Sequence, residues 1–385
     1  MGQWKRRLAI FAAAGVFAIT SLTGCIGSAN NDDVVAKVGD EEILYGVANF
    51  YARMQQGQYE TYYAGMMGTT GEEMWSQEVE EGKTYEASMK ESLLESLENM
   101  YLLRQHAEEY DVTLTDDEKK AIEEAAAKFV EANDDENKEA VSGEQEYIEE
   151  LLELITIQKK MDEPMKAGVD EEVSDEEAAQ KSMKYVSFSY TSTDEEGNSV
   201  DLSDEEKEEL KKTAQEFVDK LKASDAKDID AAATEAGLEV QTLTFDSETT
   251  SPDADFIAAA DALEKEGDVT DVVETDSALY VGKLTSLLDR EATDSKKESI
   301  VEERKQEQYD SLLEGWREET EITVNEKVWK KVNFEKLGVT IVETETEETE
   351  TDTGTETESD TETDTETKTE TETETETETE TETEE

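Results

Sequence analysis

Met183-Lys184-Tyr185-Val186-Ser187-Phe188-Ser189-Tyr190 opens, and Ala278-Leu279-Tyr280-Val281-Gly282-Lys283-Leu284 closes, the stretch whose reading decides the fold. In both segments β-branched and aromatic residues alternate with small or polar ones, the pattern of a strand. Along the first, Val186, Phe188 and Tyr190 share one face, and Tyr185, Ser187 and Ser189 share the other. Between the two segments lie two or three amphipathic helical patterns and a further strand pattern, Leu238 to Phe245. The clearest helix starts at Ser203 and Glu206, which make a capping box, and places Leu210, Ala214, Phe217, Val218 and Leu221 on one face. Glu195-Glu196-Gly197-Asn198 reads as a turn, and Gly237 and Gly267 sit where helices should end. The order strand, helix, helix, strand, helix, strand predicts a compact α+β domain of about a hundred residues.

These residues also carry a likeness. The opening strand, the helix with Phe217-Val218-Asp219-Lys220-Leu221 and the block from Phe256 to Leu284 together resemble a parvulin-type peptidyl-prolyl isomerase domain. The block looks like that family's helix, its Gly-Glu-Val-Ser turn and its last strand. The departures are specific. Parvulins carry one His in the first strand and one in the last, and here those places hold Tyr185 and Tyr280. The family's Gly-Gly-Asp-Leu-Gly segment is missing, with Val240 to Phe245 in its place. Of the proline pocket, Phe256 is kept, while its Met partner aligns near Pro252. Prolyl isomerisation faces a barrier of about 18–20 kcal/mol, and a catalyst must bind the twisted peptide better than the planar one. The resemblance implies an isomerase scaffold with a degenerate site, of which Tyr185, Tyr280 and Phe256 are the candidates. Two tyrosines in place of two histidines imply a hydrogen bond kept between the strands, a structural pair and not a catalytic one.

The chain has 385 residues, enough for about two domains with real cores. Its 36 Lys and Arg against 103 Asp and Glu give a net charge of -67, which excludes nucleic-acid binding. One Cys allows no intramolecular disulfide, and one Cys with one His allows no His/Cys zinc site. No cofactor is expected.

Residues 1–24 read as a targeting segment. Lys5, Arg6 and Arg7 form a positive start, Leu8 to Thr20 is an apolar run too short to span a membrane comfortably, and Leu22-Thr23-Gly24-Cys25 follows. This resembles a bacterial lipoprotein signal, which implies cleavage before Cys25 and acylation of that residue with chains such as palmitate; a plain secretory signal with an incidental Cys is the alternative. Each buried CH₂ adds about 0.8 kcal/mol, so several acyl chains hold a protein on the outer membrane face. Residues 25–33 then form a polar tether.

Val34 to Ile43 leads into a helix from about Leu44 to Gln56. It resembles the start of SurA/PrsA-type chaperones, in which a Val-Ala-Lys-Val-Asn-Gly stretch precedes the first helix; here Gly39-Asp40 supplies the turn. From Gln55 to Trp75 the chain mixes Tyr59, Tyr62, Tyr63, Met66, Met67, Met74 and Trp75 with four glycines. Mobile Met and aromatic groups suit the binding of unfolded chains; an ordinary connection with inward-packed aromatics is the favoured reading. Three helical patterns follow. Thr84 to Tyr110 carries Leu93, Leu97, Met100, Tyr101 and Arg104, the second is capped by Thr115 with Glu118, and Tyr147 to Met161 is expected to stop at Pro164. His106, in the first, reads as an ordinary surface or boundary residue.

Acidic Asp170 to Glu177 links to the parvulin-like stretch. Beyond it, Asp294 to Glu318 is a long charged helix with Ile300, Tyr309, Leu312, Leu313 and Trp316 as apolar positions, followed by Val324, Val328, Trp329, Val332 and Phe334. The SurA/PrsA likeness implies that this part returns to complete the N-terminal helical domain, with Trp316 and Trp329 in a shared core; an independent C-terminal lobe is the alternative. Residues 343–385 are Thr-Glu and Thr-Asp repeat, with 21 acidic residues against one Lys, so the tail carries -20 and the rest -47. Nothing there can be buried, and the tail is expected to be a disordered, solvated spacer.

The expected layout is a signal at 1–24, a tether at 25–33, a helical chaperone-like domain at 34–170, a parvulin-like α+β domain at 171–290, a returning helix at 291–342 and the tail at 343–385. The expected function is a lipid-anchored extracytoplasmic chaperone or foldase, held to the cell membrane through Cys25, whose partners are unfolded or nascent secreted proteins and whose parvulin-like domain is weak or inactive. An active isomerase built around Phe256 and a surface lipoprotein with one dedicated partner are the alternatives.

Overall fold

The computed structural model describes residues 16–21, 30–66, 68–193, 197–223 and 228–342, and these mix helix and strand in an α+β fold. Cys25, the first fifteen residues, Met67, Glu195-Glu196 and the acidic tail lie outside the described residues.

The chain enters with β1 (Val16–Ser21) and then a hairpin of β2 (Val34–Val38) and β3 (Glu41–Leu44). Gly39, at φ +58°, makes the turn, a left-handed position that glycine adopts without steric cost. Helix α1 (Tyr45–Gln58) follows and runs into a π-helical turn, Tyr59–Tyr63, and a short helical piece, Ala64–Met66. Next come α2 (Gly71–Ser76), the small strands β4 (Glu78–Glu80) and β5 (Lys83–Thr84), and three helices: α3 (Tyr85–His106), α4 (Asp116–Ala132) and, after the short α5 (Asp135–Val141), α6 (Gln145–Lys166). Their starts are local chemistry. The Thr115 hydroxyl accepts the Glu118 N–H and the Glu118 carboxylate accepts the Thr115 N–H, two unpaired donors satisfied at once. Each helix buries one stripe: Leu93, Leu97, Met100 and Tyr101 on α3, Ile122, Ala126 and Phe129 on α4, Ile148, Leu151 and Leu152 on α6. Two boundaries differ from the sequence reading. Residues Ala107–Tyr110 tighten into a 3-10 turn. Pro164 does not end α6 but lies in its last turn: it forgoes the one bond its nitrogen would make to the carbonyl four residues back, and the helix ends two residues later, at Lys166.

The sheet lobe begins with β6 (Lys181–Ser189), passes through a small hairpin of β7 (Thr191–Thr193) and β8 (Ser199–Asp201), and continues with α7 (Asp204–Ala223), α8 (Ile229–Ala236), β9 (Gln241–Phe245), α9 (Ala254–Asp261), β10 (Val273–Glu274) and β11 (Ala278–Ser286). The four long-range strands lie in the order β10-β11-β6-β9, with antiparallel neighbours throughout. Strand β9 starts later than Leu238, since Gly237 takes φ +70° and the Leu238 N–H still bonds back to Ala233. Both sheet faces are covered. Val186, Phe188 and Tyr190 pack with Leu279 and Val281 under α7 and α8; Met183, Tyr185 and Tyr280 pack under α9. The parity of β6 thus sorts its side chains between two small cores. Helix α7 opens with Asp204, Glu205 and Glu206 and closes with Lys220 and Lys222, charges that oppose the helix dipole.

The chain then returns. Helix α10 (Arg290–Glu319) spans about 45 Å at 1.5 Å per residue. After it come β12 (Ile322–Val324), α11 (Glu326–Trp329) and β13 (Leu337–Val342). Strand β12 pairs with β2, placing residues some 285 positions apart in one three-stranded sheet with β3. Leu313, Trp316, Trp329 and Phe334 are buried in the same core as Leu97, Tyr101 and Leu151. The helical core is therefore built from two separated parts of the chain, with the sheet lobe between them in sequence.

Strand β1 is a second departure. Residues Val16–Ser21, which take in the end of the apolar run read as part of a targeting segment, pair antiparallel with β13, with Phe17 opposite Ile341 and Ala18 opposite Thr340. An apolar run with β-branched residues satisfies a strand pattern as readily as a membrane-directed one, so sequence alone does not separate them.

Candidate functional site

Two arrangements concern function: the ring cluster on the sheet lobe and the aromatic segment after α1. Tyr185 sits on β6 and Tyr280 on β11, the two central strands. Tyr185 is registered with Gly282 and Tyr280 with Ser187, so the tyrosines are diagonal neighbours on one sheet face. Their ring centroids are 6.2 Å apart. Phe256, from α9, completes a triangle, stacked on Tyr280 at 5.0 Å and tilted against Tyr185 at 5.4 Å. Asp253 positions it by accepting the Asp255 and Phe256 N–H groups at the head of α9. Gly282 leaves room beneath the ring, since a Cβ there would lie 3.0 Å from Phe256 Cζ and 3.1 Å from Met183 Sδ.

The chemistry of the triangle is that of a core. Phe256 is 0% exposed, closed off by the rings of Tyr185 and Tyr280. The Tyr185 hydroxyl donates to the Gln241 side chain on β9, not to Tyr280. Burial, and then the neighbouring Tyr280, hold the Tyr185 phenol above its ordinary pKa, so it is a poor proton donor or acceptor near neutrality. The sequence reading named these three rings and missed Gln241, Gly282 and Met183. The strand register supplies the first two, because the partners of Tyr185 in β9 and β11 are Gln241 and Gly282, and Met183 lies two residues before Tyr185 on the same face of β6.

The aromatic segment divides. Met74 and Trp75 are buried, and Tyr59 packs against Trp75 at 6.0 Å. Tyr62, Tyr63 and Met66 turn outward, 51%, 47% and 76% exposed, against the expectation that this stretch packs inward. The π-helical turn is the local cause: five residues Tyr59–Tyr63 cannot all keep the α1 stripe on the core side once the helical period widens. It is held by Glu60, whose carboxylate accepts from Trp75 Nε1, from Gln56 Nε2 and from the Val339 N–H. Burial raises the Glu60 pKa against those bonds. Beneath it, the fully buried Arg53 donates to Gln56 and to the Asn333 carbonyl, and burial lowers its pKa to about 10. Glu60 thus ties the π-helical turn to β13, and Arg53 ties α1 to the segment just before that strand.

His106 stacks on Trp316 at 4.1 Å and 3°, with Nδ1 2.8 Å from Glu109 Oε1, a boundary packing role. Among the described residues no group of three or more His, Cys, Asp or Glu is arranged to hold a metal ion, and no helix is long and apolar enough to cross a membrane. Cys25, expected to carry lipid, is outside the described residues.

No protein-family model and no curated protein matches the chain. Solved structures do. The foldase protein PrsA of Lactococcus lactis is 16% identical, with 78% of this chain and 97% of that one covered and a TM-score of 0.33. The foldase protein PrsA of Streptococcus pneumoniae is 19% identical over 68% of this chain and 99% of that one, at 0.28. The peptidylprolyl isomerase PrsA of Bacillus anthracis is 16% identical over 59% and 96%, at 0.23. Identities and scores of this size leave the functional reading to the residues themselves.

Proposed function

We propose that this chain is an extracytoplasmic foldase of the PrsA type, anchored to the membrane through lipid on Cys25, that binds unfolded secreted proteins and whose sheet lobe keeps an isomerase scaffold without an isomerase site. The observation that carries the binding role is the outward set Tyr62, Tyr63 and Met66 on a chain of net charge -67. Large apolar side chains that adapt their shape suit many unfolded partners, and the surrounding negative charge keeps the protein itself soluble. The filled Tyr185–Phe256–Tyr280 triangle speaks against isomerase chemistry, for it offers no opening for proline and no readily transferred proton.

The test is suppression of aggregation of a reduced, unfolded secreted protein by the wild-type chain and by Tyr62→Ser/Tyr63→Ser/Met66→Ser. Exposed positions change stability by about 0.5 kcal/mol or less each, so melting should be nearly unchanged while suppression falls several-fold. Equal suppression by both chains refutes the assignment of the surface. A proline-tetrapeptide assay covers the second clause, and catalysis within tenfold of an ordinary parvulin refutes it.

A further inference from the structure

Strand β13 has one partner in its sheet, and that partner is β1. On its other edge, the Val339 and Ile341 N–H groups are taken by the side chains of Glu60 and Thr61. Successive strand residues point their N–H groups to opposite sides, so Gly338, Thr340 and Val342 present their backbone groups to β1. Phe17 anchors β1. Its ring is buried 5.5 Å from Phe129, its N–H donates to Asn133 Oδ1 at 2.9 Å, and it lies over Gly57, where an added Cβ would meet Phe17 at 3.0 Å, Ile341 at 3.3 Å and Val339 at 3.4 Å. The slot is thus a strand edge, an acceptor and a ring-sized hole, beside the turn that carries Tyr62 and Tyr63.

The occupant is part of the segment read as a signal that is cut before Cys25. Cleavage removes β1 and leaves β13 as an open edge with an empty hole for one aromatic side chain. Such an edge is a template for another strand.

We propose that, in the processed chain, this slot receives one extended apolar segment of an unfolded secreted protein as a strand beside β13, with an aromatic or large aliphatic side chain in the Phe17 hole. The proposal rests on the foldase reading and gives its client site a geometry: a strand in the slot, with Tyr62, Tyr63 and Met66 alongside. Before cleavage the chain's own leader fills the slot, so the precursor is closed to clients.

The test uses the chain purified from membranes, its N-terminus sequenced, beside the uncleaved precursor. The probe is a fluorescent peptide with the sequence Gly15 to Leu22, followed by anisotropy. The processed chain should bind it, the precursor should bind it at least tenfold more weakly, and a reduced, unfolded secreted protein should displace it. Gly57→Leu, which fills the hole from the α1 side, should weaken probe binding and client displacement by about tenfold with an unchanged circular dichroism spectrum. Thr340→Pro, which removes the N–H on the open edge, should do the same. Absence of probe binding to the processed chain, a mature N-terminus that retains Val16–Ser21, or displacement by no client overturns the inference. So does a dimer of the processed chain that Gly57→Leu dissolves while clients fail to compete, since that gives the slot to a second copy. If wild-type and Gly57→Leu chains suppress aggregation equally, the foldase reading stands and the slot falls; if neither suppresses it, the foldase reading falls.

Discussion

Phe256→Ala separates a packing role from a catalytic one. Phe256 is fully buried between Tyr185 and Tyr280, above Gly282 and Met183. Truncating a buried Phe to Ala costs about 3–5 kcal/mol, the transfer of the ring plus the cavity left behind. Collapse is limited here, because the cavity floor is the backbone of β11 and its walls are two tyrosines on separate strands. The upper part of the range is therefore expected. For a cooperative unit of about 100 residues each kcal/mol moves the melting temperature by about 4–8 °C, so the sheet-lobe transition should fall by about 15 °C or more. The assay is calorimetry or near-ultraviolet circular dichroism on wild-type and variant chains, with a proline-tetrapeptide rate measured on both. Tyr280→Phe is the control: it keeps the stacked ring and should cost about 1 kcal/mol or less. A variant that melts within about 1 kcal/mol of wild type would refute the packing argument. A wild-type rate enhancement lost in a stable variant would return Phe256 to the role of a substrate contact.

Arg317 from α10 donates to Glu98 Oε2 at 2.8 Å and to Asn99 Oδ1 at 2.8 Å, and Glu98 is nearly fully buried on α3. Arg317→Ala should destabilise the helical core by about 3 kcal/mol, by leaving a buried carboxylate uncompensated; urea titration reads it. Burial already raises the Glu98 pKa, so the folded protein takes up a proton there before the unfolded chain does. The cost of the variant should therefore shrink as pH falls into the carboxylate range and grow as it rises. Asp175, in the acidic link, behaves oppositely: bonds from Lys297 and Arg290 on α10 lower its pKa to about 2 from 3.8. Its contribution should be full above pH 3.8 and lost as pH falls through 2, and Asp175→Asn should flatten that part of a stability-versus-pH curve. Cys25→Ser should release the chain from sedimented membranes; retention there would refute the lipid anchor.

What could be read from the sequence was what is local or set by parity. The Thr115–Glu118 and Ser203–Glu206 boxes join residues three apart, and both sets of hydrogen bonds are present. The meeting of Tyr185 and Tyr280 on one face follows from period-two alternation once their strands pair. The misses have non-local causes. Pro164 looked like a stop because a proline costs a helix one bond in the preceding turn, and the packing of α6 that holds the helix through it joins residues far apart in sequence. The outward turn of Tyr62, Tyr63 and Met66 depends on a widened helical period, for which composition gives no signal. Pairing of β1 with β13 joins residues more than 300 positions apart, and no short window contains both.

The interleaved helical core also sets a timetable. Residues 34–166 bury their stripes partly against Trp316, Trp329 and Phe334, which are made about 170 residues later. At about 5–20 residues per second that is a wait of about 10–30 s, during which α3 and α6 lack part of their cover. The lobe from β6 to β11 is complete sooner and can settle first. Until then the apolar stripes of the first helices stay partly open to water.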